Sequence, residues 1–163
     1  MAASLSEWIP RMLKFLSNLI NLNAALATRI RSSQAFDEAL AFYDAEDYKA
    51  ALPLMREASE LGNPRAMSLL GTMYLMGQGV REDGAQAERW LKQAIAEGFD
   101  DAASVLGMAY ATGKAGVKID LDKAIPMLTE AADNGDEQSA RMLGMIERGE
   151  GMFKKLKRAK RSR

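Results

Sequence analysis

The sequence predicts an all-α fold: a right-handed α-solenoid of helix-turn-helix units, led by an amphipathic N-terminal helix. Three observations carry this expectation. A block of about one helical hairpin recurs at fixed spacing, and apolar residues inside each block fall at helical intervals. Composition agrees, with only four prolines and abundant Ala, Leu, Met, Glu and Lys. At 163 residues, 48% of them hydrophobic, the chain is one domain or one short array with a real core.

The repeat is read most easily at its glycines. Leu70, Gly71 and Tyr74 return as Leu106, Gly107 and Tyr110 after 36 residues, and Ala94 and Gly98 return as Ala131 and Gly135 after 37. The extra residue lies in the loop, where GQGV from Gly77 becomes GKAGV from Gly113. A third copy starts at Ala140, Leu143 and Gly144 and stops after about one helix. In the stretch PRAMSLLGTMYLM, residues 64–76, the packing face is Ala66, Leu70, Gly71 and Tyr74. Glycine inside a helix costs roughly 1 kcal/mol against alanine, so Gly71, Gly107 and Gly144 imply close approach of a partner helix. Gly77 and Gly79 end the helix and turn the chain. Asp83 and Asp120 then cap a second helix, which closes at Gly98 or Gly135. A shorter relative without the glycine loop covers residues 35–63, and its Pro53 aligns with Pro126, which implies a unit-specific bend.

These residues resemble a known family. The pattern Ala66-x-x-x-Leu70-Gly71-x-x-Tyr74, the loop Gly77-x-Gly79-Val80, then Asp83, Ala87, Trp90, Ala94 and Gly98 is similar to the Sel1-like repeat. The earlier unit, with Ala39, Phe42, Asp47, Tyr48, Ala51 and Ala58, resembles the related tetratricopeptide repeat. It departs from that pattern at Glu46, where glycine is usual, and Met127 departs from the Trp90 type. The resulting organisation is an N-terminal amphipathic helix over 1–32, a tetratricopeptide-like hairpin over 33–63, Sel1-like repeats over 64–99 and 100–136, a partial repeat or capping helix over 137–150, and a basic tail over 151–163.

Composition narrows the function. Histidine and cysteine are both absent, which removes the usual general base, the commonest metal ligands and every Ser-His or Cys-His arrangement. The Gly77-x-Gly79 pair lacks the spacing of a phosphate-binding loop and the strand and acidic residue of a dinucleotide fingerprint. The pairs Glu82-Asp83, Asp100-Asp101 and Asp136-Glu137 lie at helix starts, where capping explains them, and no D-x-D-x-D-G spacing for calcium exists. Eleven methionines at core spacing read as packing. No enzyme activity, catalytic residue, metal or cofactor is therefore expected.

The remaining role is binding. The resemblance implies that the first helices of successive units line a concave, protein- or peptide-binding face. Its residues are Phe36, Leu40 and Tyr43, then Arg65, Ser68, Thr72 and Leu75, then Asp101, Ser104, Met108 and Ala111, and finally Arg141, Met145 and Arg148. Adaptor, scaffold or regulator is the expected role, and the family also suggests a neutralising, immunity-type partner of a secreted toxin in a bacterial setting.

The two ends add alternatives. Leu5, Ile9, Met12, Leu16, Leu19, Leu26 and Ile30 step by threes and fours with Asn23 in the remaining slot, as a polar register-setter does in a coiled coil. Trp8, Leu13, Phe15, Ile20 and Leu22 widen the stripe, with Ser6 as a candidate cap and Pro10 near the first turn. Four readings stay open: a cap on the first unit, self-association or a partner helix, an in-plane membrane helix, and a cleaved secretory signal. Net charge is zero, yet residues 1–31 carry +3, residues 32–153 carry −10 and the last ten residues carry +7. Lys154, Lys155, Lys157, Arg158, Lys160, Arg161 and Arg163 are thus candidate contacts for an anionic surface, as in a peripheral membrane protein, or for the acidic body itself. Nucleic acid is disfavoured, because the array would repel a phosphate backbone. With no cysteine present the redox compartment cannot be read from the sequence, which leaves both a cytoplasmic and an envelope or periplasmic placement open, the cytoplasmic one slightly ahead.

Overall fold

The computed structural model describes the backbone of residues 5–161 and the side-chain surroundings of residues 9–149. Seven α-helices follow one another and no strand occurs among the described residues. They are α1 (Leu5–Asp44), α2 (Tyr48–Glu60), α3 (Pro64–Met76), α4 (Gly84–Ala96), α5 (Asp101–Thr112), α6 (Leu121–Asp133) and α7 (Glu137–Arg161). Each hairpin packs within itself, α1 on α2, α3 on α4 and α5 on α6, and consecutive hairpins join through α2–α3, α4–α5 and α6–α7. This is the all-α solenoid expected from the repeat.

Local chemistry explains the element boundaries. The side chains of Asp83 and Asp120 each accept a backbone hydrogen bond, from Gln86 N at 3.0 Å and Lys123 N at 3.2 Å, and so start α4 and α6. Asn63 does the same for α3 with Arg65 N and Ala66 N, and Pro64 stands at the first helical position. Gly77 and Gly113 end α3 and α5 in the left-handed conformation. Both loops then return identically, since Asp83 N donates to Tyr74 O and Asp120 N to Tyr110 O, each at 3.0 Å.

A continuous core runs through the hairpins, with Ala39, Ala51, Met55, Leu70, Leu91, Leu106 and Leu128 fully or almost fully enclosed. The helix glycines set its spacing. A Cβ on Gly71 would stand 2.7 Å from Leu91 Cγ and 3.3 Å from Ala87 O. On Gly107 it would meet Leu128 Cγ at 3.1 Å. Gly144 repeats the residue without the constraint, because its nearest such neighbour is the movable Arg148 guanidinium at 3.2 Å. Pro53 and Pro126 lie inside α2 and α6 on exposed positions, and both helices continue through them.

Two features of the ends differ from the sequence expectation. No helix boundary occurs at residues 32–33: α1 runs unbroken for 40 residues. Only its last third belongs to the first hairpin, beginning at Ser32, whose hydroxyl donates to Ala58 O at 3.1 Å. Arg31 meets Glu57 at 2.7 Å just before it. Every residue from Ile9 to Arg31 is exposed, so this part of α1 does not lie down as a cap on the first hairpin. The physical reason is straight-line geometry, since α2 has 13 residues and covers only the matching length of α1. At the other end, α7 carries its helical backbone to Arg161, across the expected boundary at 150–151. The side chains of Lys154, Lys155, Lys157, Arg158, Lys160 and Arg161 lie outside the described surroundings, as does Arg163 altogether. The surroundings of Ser6 lie outside them too, although the helix already begins at Leu5.

The glycines yield a paired prediction. Gly71→Ala lowers stability by about 1–2 kcal/mol, because overpacking against Leu91 outweighs the gain in helix propensity. Gly144→Ala is neutral or stabilising by up to about 1 kcal/mol. Urea denaturation of both variants measures the difference.

A second prediction concerns Glu46, which occupies a left-handed conformation with φ of 59°. Such a backbone disfavours any side chain with a Cβ by about 1 kcal/mol, so Glu46→Gly raises the unfolding free energy by a similar amount in the same assay.

Candidate protein-binding face

Direct contacts between alternate helices run through the first helices of the units, α3 to α5 and α5 to α7, with no comparable contact among α2, α4 and α6. First helices that approach one another this way form the inner side of the array. A helix placed there buries one flank against its hairpin partner and two more against neighbouring units, which leaves a narrow free strip.

On α3 that strip is Arg65, Leu69, Thr72 and Met76. Arg65 and Met76 are exposed, the latter by 54%, and Leu69 and Thr72 are partly exposed. Two residues expected on this face are not available. Ser68 is 8% and Leu75 2% exposed, so both lie in the packing between helices. Phe36, 6% exposed, is likewise enclosed, and its ring lies 5.3 Å beneath the Arg65 guanidinium. The free strip is rotated by one residue from the expected line, which is why Leu69 and Met76 were missed. Leu70 and Gly71 share the packing face, so the direction opposite it passes through 69, 72 and 76 rather than 68 and 75.

The remaining expected positions keep surface. Leu40 and Tyr43 on α1 are partly exposed, and the Tyr43 hydroxyl meets Gln78 Oε1 at 3.1 Å, tying α1 to the first glycine loop. On α5, Asp101 is exposed while Ser104, Met108 and Ala111 are partly so, with Val105 in the slot equivalent to Leu69. On α7, Arg141, Met145 and Arg148 are exposed, and Met145 shows 60% of its surface. The strip therefore joins apolar Leu69, Met76, Met108 and Met145 to the cation Arg65, while Arg141 and Arg148 lie exposed beside it on α7, in the slots of Ser68 and Leu75.

Behind this face the units are locked by tyrosines. Tyr74 accepts a hydrogen bond from Arg56 of the preceding unit at 2.8 Å. Tyr110, its repeat equivalent, donates to Glu88 Oε1 at 2.6 Å, and Lys92, which occupies the slot of Arg56, donates to the same oxygen at 2.6 Å. Lys123 stands 5.2 Å over the Tyr110 ring, so α4, α5 and α6 meet at one ring. The Lys92 and Tyr110 hydrogen bonds hold the Glu88 carboxyl below the usual carboxylate range. Burial and the Glu88 hydrogen bond push the Tyr110 phenol up.

The acidic pairs expected to act as caps do so in part. Asp136 caps α7 through Gln138 N, Ser139 N and the Ser139 hydroxyl, while Asp100 makes no capping bond with its side chain. Among the described residues no three acidic side chains gather closely enough to hold a metal ion, and no helix is long and apolar enough to cross a membrane.

Fold and surface together define a helical-repeat solenoid with an accessible inner strip. More specifically, residues 64–99 and 100–136 each match the Sel1 repeat, a repeat that typically serves protein–protein interaction. Among solved structures, c5321, a protective antigen of uropathogenic Escherichia coli with a Sel1-like repeat fold, superposes with a TM-score of 0.59 and 29% identity. The match covers 66% of this chain and 24% of that one. A Sel1 repeat protein from Oxalobacter formigenes gives a TM-score of 0.58 and 26% identity over 66% of this chain and 44% of its own. This chain thus spans less than half the length of either relative. No curated protein matches the sequence significantly.

The Glu88 cluster has a testable pH signature. A carboxyl whose pKa is lowered by folding stabilises the fold above its ordinary value near about 4.3, and the contribution fades as pH falls through the lower folded value. Glu88→Gln therefore lowers the urea midpoint at pH 7, and the gap from the parent closes below about pH 4. Tyr110→Phe costs about 1 kcal/mol at pH 7 by removing one hydrogen bond to a charged group that is partly solvated.

Proposed function

We propose that this protein is a non-enzymatic interaction module that binds a protein or peptide along the inner strip of its repeats, as an adaptor, scaffold or regulator. The observation that carries the reading is the strip itself. Leu69, Met76, Met108 and Met145 form an apolar line across three successive first helices, bordered by Arg65, Arg141 and Arg148. Methionine and arginine are enriched at interface cores, and methionine adapts its shape to a partner. The mixture favours an extended or helical segment with apolar anchors and at least one acidic side chain. The array supplies no His or Cys to sustain chemistry there, and the Sel1 repeats supply the usual scaffold for such recognition.

The test is a selection of 16-residue display peptides against the full chain, followed by methionine-methyl NMR. Binding on the strip shifts Met76, Met108 and Met145 and leaves the enclosed Met55 and Met73 in place. Met108→Glu then weakens the selected peptides at least tenfold without altering the melting temperature. Peptides that leave these three methyls unmoved would remove the strip as the binding face.

A further inference from the structure

The exposed two-thirds of α1 carries an apolar stripe that the array does not use. Ten large apolar side chains between Ile9 and Ile30 are 37–66% exposed. Further along the same helix, the array uses a different face, made by Ala35, Phe36 and Ala39. The stripe's own continuation would be Ser33 and Asp37, both exposed and polar. The stripe therefore stops at Ile30, one turn before the first hairpin makes its main contacts. It is a second packing surface, independent of the solenoid.

From this we infer that residues 5–30 form a parallel coiled-coil bundle with the same segment of other copies of the chain. The spacing fixes the register. In heptad positions, Ile9, Leu16, Asn23 and Ile30 occupy a, while Leu5, Met12, Leu19 and Leu26 occupy d. That seam keeps a strict seven-residue period for nearly four heptads, where a straight helix on a flat apolar layer would drift by about 20° per heptad. β-branched or Leu side chains at a with Leu or Met at d suit parallel strands. Asn23 argues for the same arrangement. In a parallel bundle Asn23 meets Asn23 of the next copy and both amides are satisfied, whereas an antiparallel pair or a lipid layer leaves it against apolar groups. The helix offers enough surface for the purpose. Ten half-exposed side chains present on the order of 800 Å² per copy, which is what each side of a standard stable interface buries.

The flanks add apolar surface beyond the seam, which bundles of three or four strands bury more fully than a pair. Positions e and g carry Leu13, Ile20, Phe15 and Leu22, which two helices alone would leave partly wet. Charge does not oppose bundling, because Arg11 falls at c and Glu7 and Lys14 at f, on the side away from the seam, while Arg29 at g faces the uncharged Gln34 at e of the next copy.

The experiment uses the full chain. Light scattering at tens of micromolar gives a mass of two to four times 17.9 kDa if the inference holds. The double substitution Leu16→Glu and Leu19→Glu returns it to 17.9 kDa with the array's melting transition unchanged, since neither residue touches the array. Because the chain has no cysteine, Ile9→Cys reports orientation directly: it forms a disulfide-linked pair under mild oxidation in a parallel bundle and none in an antiparallel one. A monomeric full chain overturns the inference. If that monomer floats with phosphatidylglycerol vesicles and not with phosphatidylcholine, the stripe is a membrane-surface device instead. An oligomer that survives the double glutamate variant places the interface elsewhere and overturns it equally.

Discussion

Everything in the array depends on how closely two helices of one hairpin can approach. Gly71 and Gly107 present bare backbone to Leu91 and to Leu128, and these leucines sit where a methyl would have stood. That approach carries the second helix inward and brings Ala87 and Ala124 into full burial beside it. It also leaves the tyrosines one turn later, Tyr74 and Tyr110, to reach back to the preceding unit. The glycine that looks like a weak point in each helix thus sets the geometry of the hairpin and the lock between hairpins. At Gly144 a Cβ would meet only the Arg148 side chain of the same helix, so among the described residues this glycine sets no close approach between helices.

Much of this was legible in the sequence because repetition tests itself. Asp83 with Asp120, Gly77 with Gly113, and Gly98 with Gly135 recur at matched positions, and each pair takes the role its chemistry suggests. Even a departure was informative. Glu46 stands where the resembling repeat has glycine, and it adopts a left-handed backbone there. The loop insertion is accommodated in the same way, by Ala115 at positive φ.

The binding strip was harder to read, and the reason is geometric. A helix in a solenoid has neighbours on three sides, so its free sector is narrow and an error of one residue moves a side chain from surface to interior. Ser68 and Leu75 were lost to the interior for that reason, and Leu69 and Met76 gained. The end of the N-terminal helix was hidden for a different reason. No glycine or proline stands between Ile30 and Phe36, and only the change of apolar face marks where the array begins. A change of face is a property of two elements in contact, which a one-dimensional pattern reveals poorly.

The unbroken passage of α1 from exposed stalk into first hairpin has a mechanical meaning. A chain with a hinge at residue 31 would let the array swivel freely about the stalk. Here one helix serves both, so the compass bearing of the inner strip about the stalk axis is set by residue count. Each residue added or removed in that stretch would turn the whole solenoid by about 100° and advance it by about 1.5 Å. The helix acts as an angular ruler, and the direction in which the strip faces is written in the number of residues between Ile30 and Ser32.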